Sequence, residues 1–172
     1  MAEKSILDPH VRESLDANAI DYEVLECAPE LADTAEFCAH YGIAATEACN
    51  AIIVVLKTEP RRYVACLVRA DTRLDVNRKV RDLVGTKKLS FASAEETAEL
   101  TGMMIGGVSI PGLPPEIPIY LDQRVMEAPR VILGGGNRSS KIRLAPAELL
   151  KLPNAQVADI AQLWTAAAQP PL

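Results

Sequence analysis

At 172 residues, 49% of them hydrophobic and 24% charged, the chain is long enough for one domain with a substantial core and short for two. Eighteen basic against 23 acidic side chains leave a formal charge of −5, which excludes the broad electropositive footprint of a protein that grips long nucleic acid through many phosphates. A small local contact with nucleic acid remains open.

Cys27, Cys38, Cys49 and Cys66 are widely spaced and form no C-x-x-C pair, so neither a structural zinc site nor a redox couple is predicted. Without a signal peptide or an apolar run of membrane-spanning length, they read as reduced, buried thiols of a cytoplasmic protein with no membrane partner. His10 and His40 fall in predicted helices with no cluster of ligands nearby. A histidine-based triad and a metal site are disfavoured accordingly, and no cofactor is implied.

In chain order, Asp8-Pro9 opens a helix with a capping acid and a proline whose missing donor costs nothing there. Val11 and Leu15 supply its apolar face, and it ends near Asn18. Tyr22 to Cys27 reads as a strand, and Thr34 is the expected cap of a second helix, Ala35 to Tyr41, stopped by Gly42. Asn50 to Lys57 and Tyr63 to Arg69 are two β-branched, apolar runs around a polar turn, the pattern of a central hairpin buried on both faces. Asp75 caps a helix ending at Gly85, Lys88 to Phe91 is a short strand, and Ser93-x-x-Glu96 is a capping box for a helix closed by Gly102.

The stretch from Thr101 to Pro118 is neither helix nor strand. Its glycines permit unusual backbone angles and its prolines stiffen the path, so it reads either as a rigid surface connection or as a loop that offers backbone N–H groups to a ligand. Strands follow at Ile119 to Asp122, Arg130 to Leu133 and Lys141 to Leu144. Then come a short helix from Pro146 and a last strand from Ala155 to Ile160. The glycine run Gly134 to Gly136 does not match a dinucleotide fingerprint. A tail from Gln162 carries Trp164, through which it can dock, and its Gln-Pro-Pro-Leu end reads as loose. Helices and strands in rough balance, with hairpins rather than steady βαβ alternation, make the fold class α+β.

Four features coincide: the strand opening at Asn50, the Ser93-x-x-Glu96 helix ending Glu99-Leu-Thr-Gly102, the loop Gly106-Gly-Val-Ser109 with Gly112-Leu113, and Arg143-Leu-Ala-Pro146-Ala-Glu-Leu149. Together they resemble the YbaK/ProRS-associated domain, a family of aminoacyl-tRNA editing hydrolases. The resemblance implies a single domain with a mixed, largely antiparallel, barrel-like sheet flanked by helices. The expected division is an N-terminal helix at 1–19, the editing domain at 20–160 and a C-terminal tail at 161–172. The implied chemistry is hydrolysis, in trans, of the ester that joins a wrong amino acid to the terminal adenosine of a tRNA, with a synthetase as a candidate partner beside the tRNA acceptor end.

Ester hydrolysis needs donors aimed at a developing oxyanion, and backbone N–H groups in a glycine turn supply them, which makes Gly106 and Gly107 the catalytic candidates. Val108, Ser109 and Pro111 are candidate substrate contacts in the same loop. Gly135, Asn137 and Arg138 are candidates from the second glycine-rich segment. Arg138 and Lys141 either meet the tRNA end or are exposed loop cations.

Two positions depart from the family pattern. Asn50 stands where the resemblance implies a lysine, and Ile110-Pro111 reverses the usual proline-apolar order. Asn50 is nevertheless a catalytic candidate by position, while Lys57, an odd number of residues away, should face the other side of the sheet. A binding module for an aminoacyl-adenosine-like or amino-acid-like ligand is the competing reading. A cysteine hydrolase built on Cys49 or Cys66 lacks a histidine partner.

Overall fold

The computed structural model describes residues 3–164. Helix α1 (Pro9–Ala17) begins as the sequence predicts, with the Asp8 carboxylate accepting from His10 N–H at 2.9 Å, and Val11 and Leu15 are fully buried. Strand β1 (Glu23–Glu26) and helix α2 (Thr34–Tyr41) follow, and Gly42 ends α2 at φ 68°, a left-handed angle that glycine adopts without steric cost. The cap of α2 differs from expectation: Asp33 holds that position, and Thr34 is already helical, with its hydroxyl turned outward to Asn50.

The predicted central hairpin is β2 (Cys49–Leu56) against β3 (Arg62–Arg69), with Asn50 opposite Val68. Its two faces feed separate cores, which is why both strands are apolar almost throughout. Ile53, Ala65 and Leu67 pack with Val11 and Leu15 of α1, so the N-terminal helix belongs to the main core. Val54, Cys66 and Val68 pack on the other side against β4 (Thr72–Leu74) and a π-helical turn, Val76–Val80. The expected helix after Asp75 is thus a π turn that tightens into α3 (Arg81–Val84) before Gly85.

Strand β5 (Leu89–Phe91) pairs with β2 only over Val54–Leu56. Helix α4 (Ala94–Thr101) starts at Ser93, whose hydroxyl accepts from Glu96 N–H at 3.0 Å. The capping box is only half formed, because the Glu96 carboxylate accepts instead from Arg61 and from the Tyr63 hydroxyl.

Strand β6 (Ile119–Asp122) runs parallel to β3. The hairpin of β7 (Val131–Gly134) and β8 (Ser140–Leu144) pairs with β1, and β9 (Ala155–Ala158) lies parallel to β6. A five-stranded sheet in the order β5-β2-β3-β6-β9 therefore stands beside a three-stranded one, β1-β8-β7, linked by a parallel bridge between Ala48 and Ile132. Antiparallel pairings predominate. The sheets do not close, so the structure is barrel-like only loosely.

The expected tail begins with a strand, β10 (Ala161–Leu163), antiparallel to β4, and Trp164 follows with the Arg73 guanidinium 6.0 Å from its ring centre. The Gln-Pro-Pro-Leu end lies outside the described residues. Among the described residues, no helix is long and apolar enough to cross a membrane.

Candidate active site

Between α4 and β6 the chain makes a tight turn, Met104 to Gly107, in which Gly107 N–H donates to Met104 O at 2.9 Å. Gly106 occupies its third position at φ 88°, the positive angle that a type II turn requires there. Four successive carbonyls of this segment each have a donor. Beyond the Met104 carbonyl, Ile105 O accepts from Arg138 Nη1 at 3.0 Å and Gly106 O from Lys141 Nζ at 3.3 Å, while Gly107 O accepts from Gly136 N–H at 2.7 Å. The loop is thus tied through its oxygens to the β7–β8 hairpin. The N–H groups of Gly106 and Val108 have no intramolecular acceptor among the described residues, and both residues line a cleft of about 510 Å³.

The opposite wall is the edge of β2. Because β5 stops at Val54, the Cys49–Ile52 segment has β3 on one side and the cleft on the other. Asn50 lines this wall, and its Oδ1 accepts from the Thr34 hydroxyl at 2.5 Å. Asp33 stands at the rim, paired with Arg138 at 3.1 Å.

Lys141 closes the floor and is only 6% exposed. Its ammonium donates to Ala32 O at 2.6 Å as well as to Gly106 O, and lies 5.3 Å from the centre of the Phe37 ring. Burial holds its pKa below the ordinary lysine value, against the partial opposition of Cys27 and Asp33. One buried cation therefore joins β8, the approach to α2 and the glycine turn.

Asn50, Gly106, Val108 and Lys141 thus share one cleft, and Gly107, Ser109, Pro111, Gly135, Asn137 and Arg138 lie outside its lining. Gly107 is behind the turn: its N–H is used within it, and a side chain there would overlap the Asn137 carbonyl. Ser109 is fully buried, its N–H directed at Met103 Sδ, and Pro111 is buried as well. Gly112 presses against the backbone of His10 and Val11, so this second half of the loop packs on α1.

Asn137 is a local hub. Its Oδ1 accepts from Ser139 and Ser140 while its Nδ2 donates to Ile6 O. Gly135 holds Asp8 N–H through its carbonyl. Arg138 is a clamp rather than a free loop cation, donating to Pro29 O as well as to Ile105 O and Asp33. Lys141, which the sequence leaves as either a contact for the tRNA end or an exposed loop cation, is buried and lines the cleft. The signal that locates it is the register placing Gly134 opposite it, and register is not visible in one chain.

Cys49 also lines the cleft, but burial pushes its thiol up to about 12, as it does that of Cys66. No histidine lines this cleft, so a thiolate nucleophile has no support. Among the described residues there is no cluster of three or more metal-ligating side chains.

A mixed α+β body thus carries a glycine turn beside a cleft that is lined by two residues with unbonded amides, Gly106 and Val108. The model of the aminoacyl-tRNA editing domain matches residues 28–152, and the chain belongs to that family. Its relatives include EbsC of Enterococcus faecalis, a candidate Cys-tRNA(Pro)/Cys-tRNA(Cys) deacylase, 31% identical over 104 residues. That alignment spans 60% of this chain and 61% of the length of EbsC.

Among solved structures, hypothetical protein APE2540 superposes with a TM-score of 0.80 at 29% identity, covering 89% of this chain and 99% of the other. A candidate trans-editing enzyme for prolyl-tRNA synthetase superposes with a TM-score of 0.77 at 31% identity, covering 91% and 99%.

Proposed function

We propose that the cleft hydrolyses, in trans, the ester between a wrongly attached amino acid and the terminal adenosine of a tRNA. The observation that carries this reading is the turn whose carbonyls from Met104 to Gly107 are all bonded while the N–H groups of Gly106 and Val108 remain available at the cleft. Amides held in this way stabilise an oxyanion without reorganising as it forms.

In the reaction, water adds to the ester carbonyl and the charge collects on its oxygen, against Gly106 and Val108. The carbon–oxygen bond to the ribose then breaks, and the proton released by the water passes to the departing ribose oxygen. The resemblance to the editing family implies that the substrate's own vicinal hydroxyl assists this proton transfer, and Asp33 at the rim is already engaged by Arg138. Asn50, fixed by Thr34, has an Nδ2 group with no intramolecular acceptor among the described residues, available to orient the substrate.

The test is a panel of correctly and incorrectly charged tRNAs, followed by loss of the ester, with Asn50→Lys and Gly107→Ala alongside. Wild type is expected to release the amino acid from a subset of mischarged tRNAs. Gly107→Ala, which forces the turn away from Asn137, is expected to be slower by roughly 100-fold or more. Binding of charged tRNA with no release above buffer from any of them would replace the hydrolase by a binding module.

A further inference from the structure

A second groove, of about 590 Å³, opens beside the cleft and shares Asn50, Ile52 and Phe91 with it. Its far wall is Trp164, following β10, with Arg73 of β4 against the ring. Phe91 is 56% exposed at the junction of the two cavities, an uncommon place to leave an aromatic ring in a chain with few of them. Arg73 is held by Gln162, whose amide oxygen, turned toward it, accepts from Nε at 2.8 Å and Nη2 at 2.6 Å. The acid in the groove, Asp75, is already compensated, since it caps Arg78 N–H and pairs with the Arg78 guanidinium at 3.3 Å. The groove therefore offers two aromatic side chains, one fixed cation and the polar edges of Asn77 and Ser90.

We infer that this groove receives the unpaired nucleotides that precede the terminal adenosine, stacking their bases on Phe91 and Trp164 and placing a phosphate at Arg73. The inference rests on the cleft being the ester site, because the shared residues Asn50, Ile52 and Phe91 then put the incoming strand in the adjoining groove. Aromatic platforms beside a cation are how single strands are held without reading their sequence, and each stacked base contributes enough to be seen on truncation to alanine.

Trp164 is the chain's single tryptophan, so its emission reports the groove directly. The experiment titrates the protein with the trinucleotide cytidylyl-cytidylyl-adenosine and with adenosine alone. In parallel it measures hydrolysis of a mischarged tRNA and of the same amino acid esterified to adenosine.

The trinucleotide is expected to quench Trp164 saturably and adenosine not to. Phe91→Ala and Arg73→Gln are expected to weaken the trinucleotide by roughly 5-fold or more, and Arg73→Gln, whose residue lies outside the cleft lining, to raise KM for tRNA while leaving the adenosine ester unaffected. Emission indifferent to the trinucleotide, or variants that bind it as tightly as wild type, would overturn the groove. Quenching without hydrolysis of any ester keeps the groove as a strand site and removes the hydrolytic reading. Hydrolysis of tRNA unchanged in Arg73→Gln does the reverse.

Discussion

Lys141 shows how much one side chain can decide in this site. Its ammonium supplies the only side-chain donor that Gly106 O has among the described residues, and through that oxygen it sets the plane of the peptide next to the proposed oxyanion donors. Lys141→Met keeps the apolar stem and removes the two bonds, leaving Ala32 O and Gly106 O without this donor. Ester release is expected to slow by about 10-fold or more, chiefly in kcat, because the turn loses its fixed geometry.

The same substitution has a signature in pH. Burial places the folded-state pKa of Lys141 below 10.5, so between that lowered value and 10.5 the unfolded chain binds more protons than the folded one. The unfolding free energy of wild type relative to Lys141→Met is therefore expected to rise with pH across that window. Urea titrations at a series of pH values up to 10.5 would show it, and a flat difference would contradict the buried charge.

At the scale of elements, the end of β6 holds the last two strands. Asp122, fully buried, accepts from Ile160 N–H at 3.0 Å and Ala161 N–H at 3.1 Å, and also from Arg124 N–H at 3.2 Å. Asp122→Ala would strand two buried donors where β9 turns into β10, at a cost of roughly 2–5 kcal/mol. The expected result is a lower urea midpoint, together with a shift in Trp164 emission as β10 loosens from β4.

Most elements were legible before the fold was known because their boundaries are local chemistry. Asp8-Pro9, Gly42, Ser93 and Gly102 cap or stop helices by bonds to residues within a turn. The departures all have distant partners: Thr34 bonds Asn50 instead of capping its helix, Glu96 bonds Arg61 and Tyr63 instead of closing its capping box, and Ala161–Leu163 is a strand only because β4 offers an edge.

For the molecule as a whole, a net charge of −5 opposes any nucleic acid at long range, so association with tRNA depends on a few local cations such as Arg73. The logarithm of the binding constant is expected to fall with the logarithm of salt at a slope between roughly −1 and −3, the release from two to four single-strand phosphates. A titration of uncharged tRNA at increasing salt measures it. A slope several times steeper would mean a broad phosphate footprint that this charge balance does not provide.

By itself the sequence determined the α+β class, the apolar hairpin at the centre and the family resemblance, and it singled out the loop around Gly106 and Asn50 as candidates. Those conclusions follow from residue types and short spacings: β-branched runs, capping pairs, and glycines where the backbone must turn. Only the tertiary structure decided that Gly107, Ser109, Pro111, Gly135 and Asn137 lie outside the cleft lining, that Arg138 and Lys141 hold carbonyls of the turn, and that a second groove opens beside the cleft. The physical reason is that a backbone N–H becomes available to a ligand only by virtue of what its neighbouring carbonyls are bonded to. In this chain those donors come from Lys141 of β8 and from Gly136 and Arg138 in the β7–β8 turn, about thirty residues away, brought alongside by a strand register that no local pattern encodes.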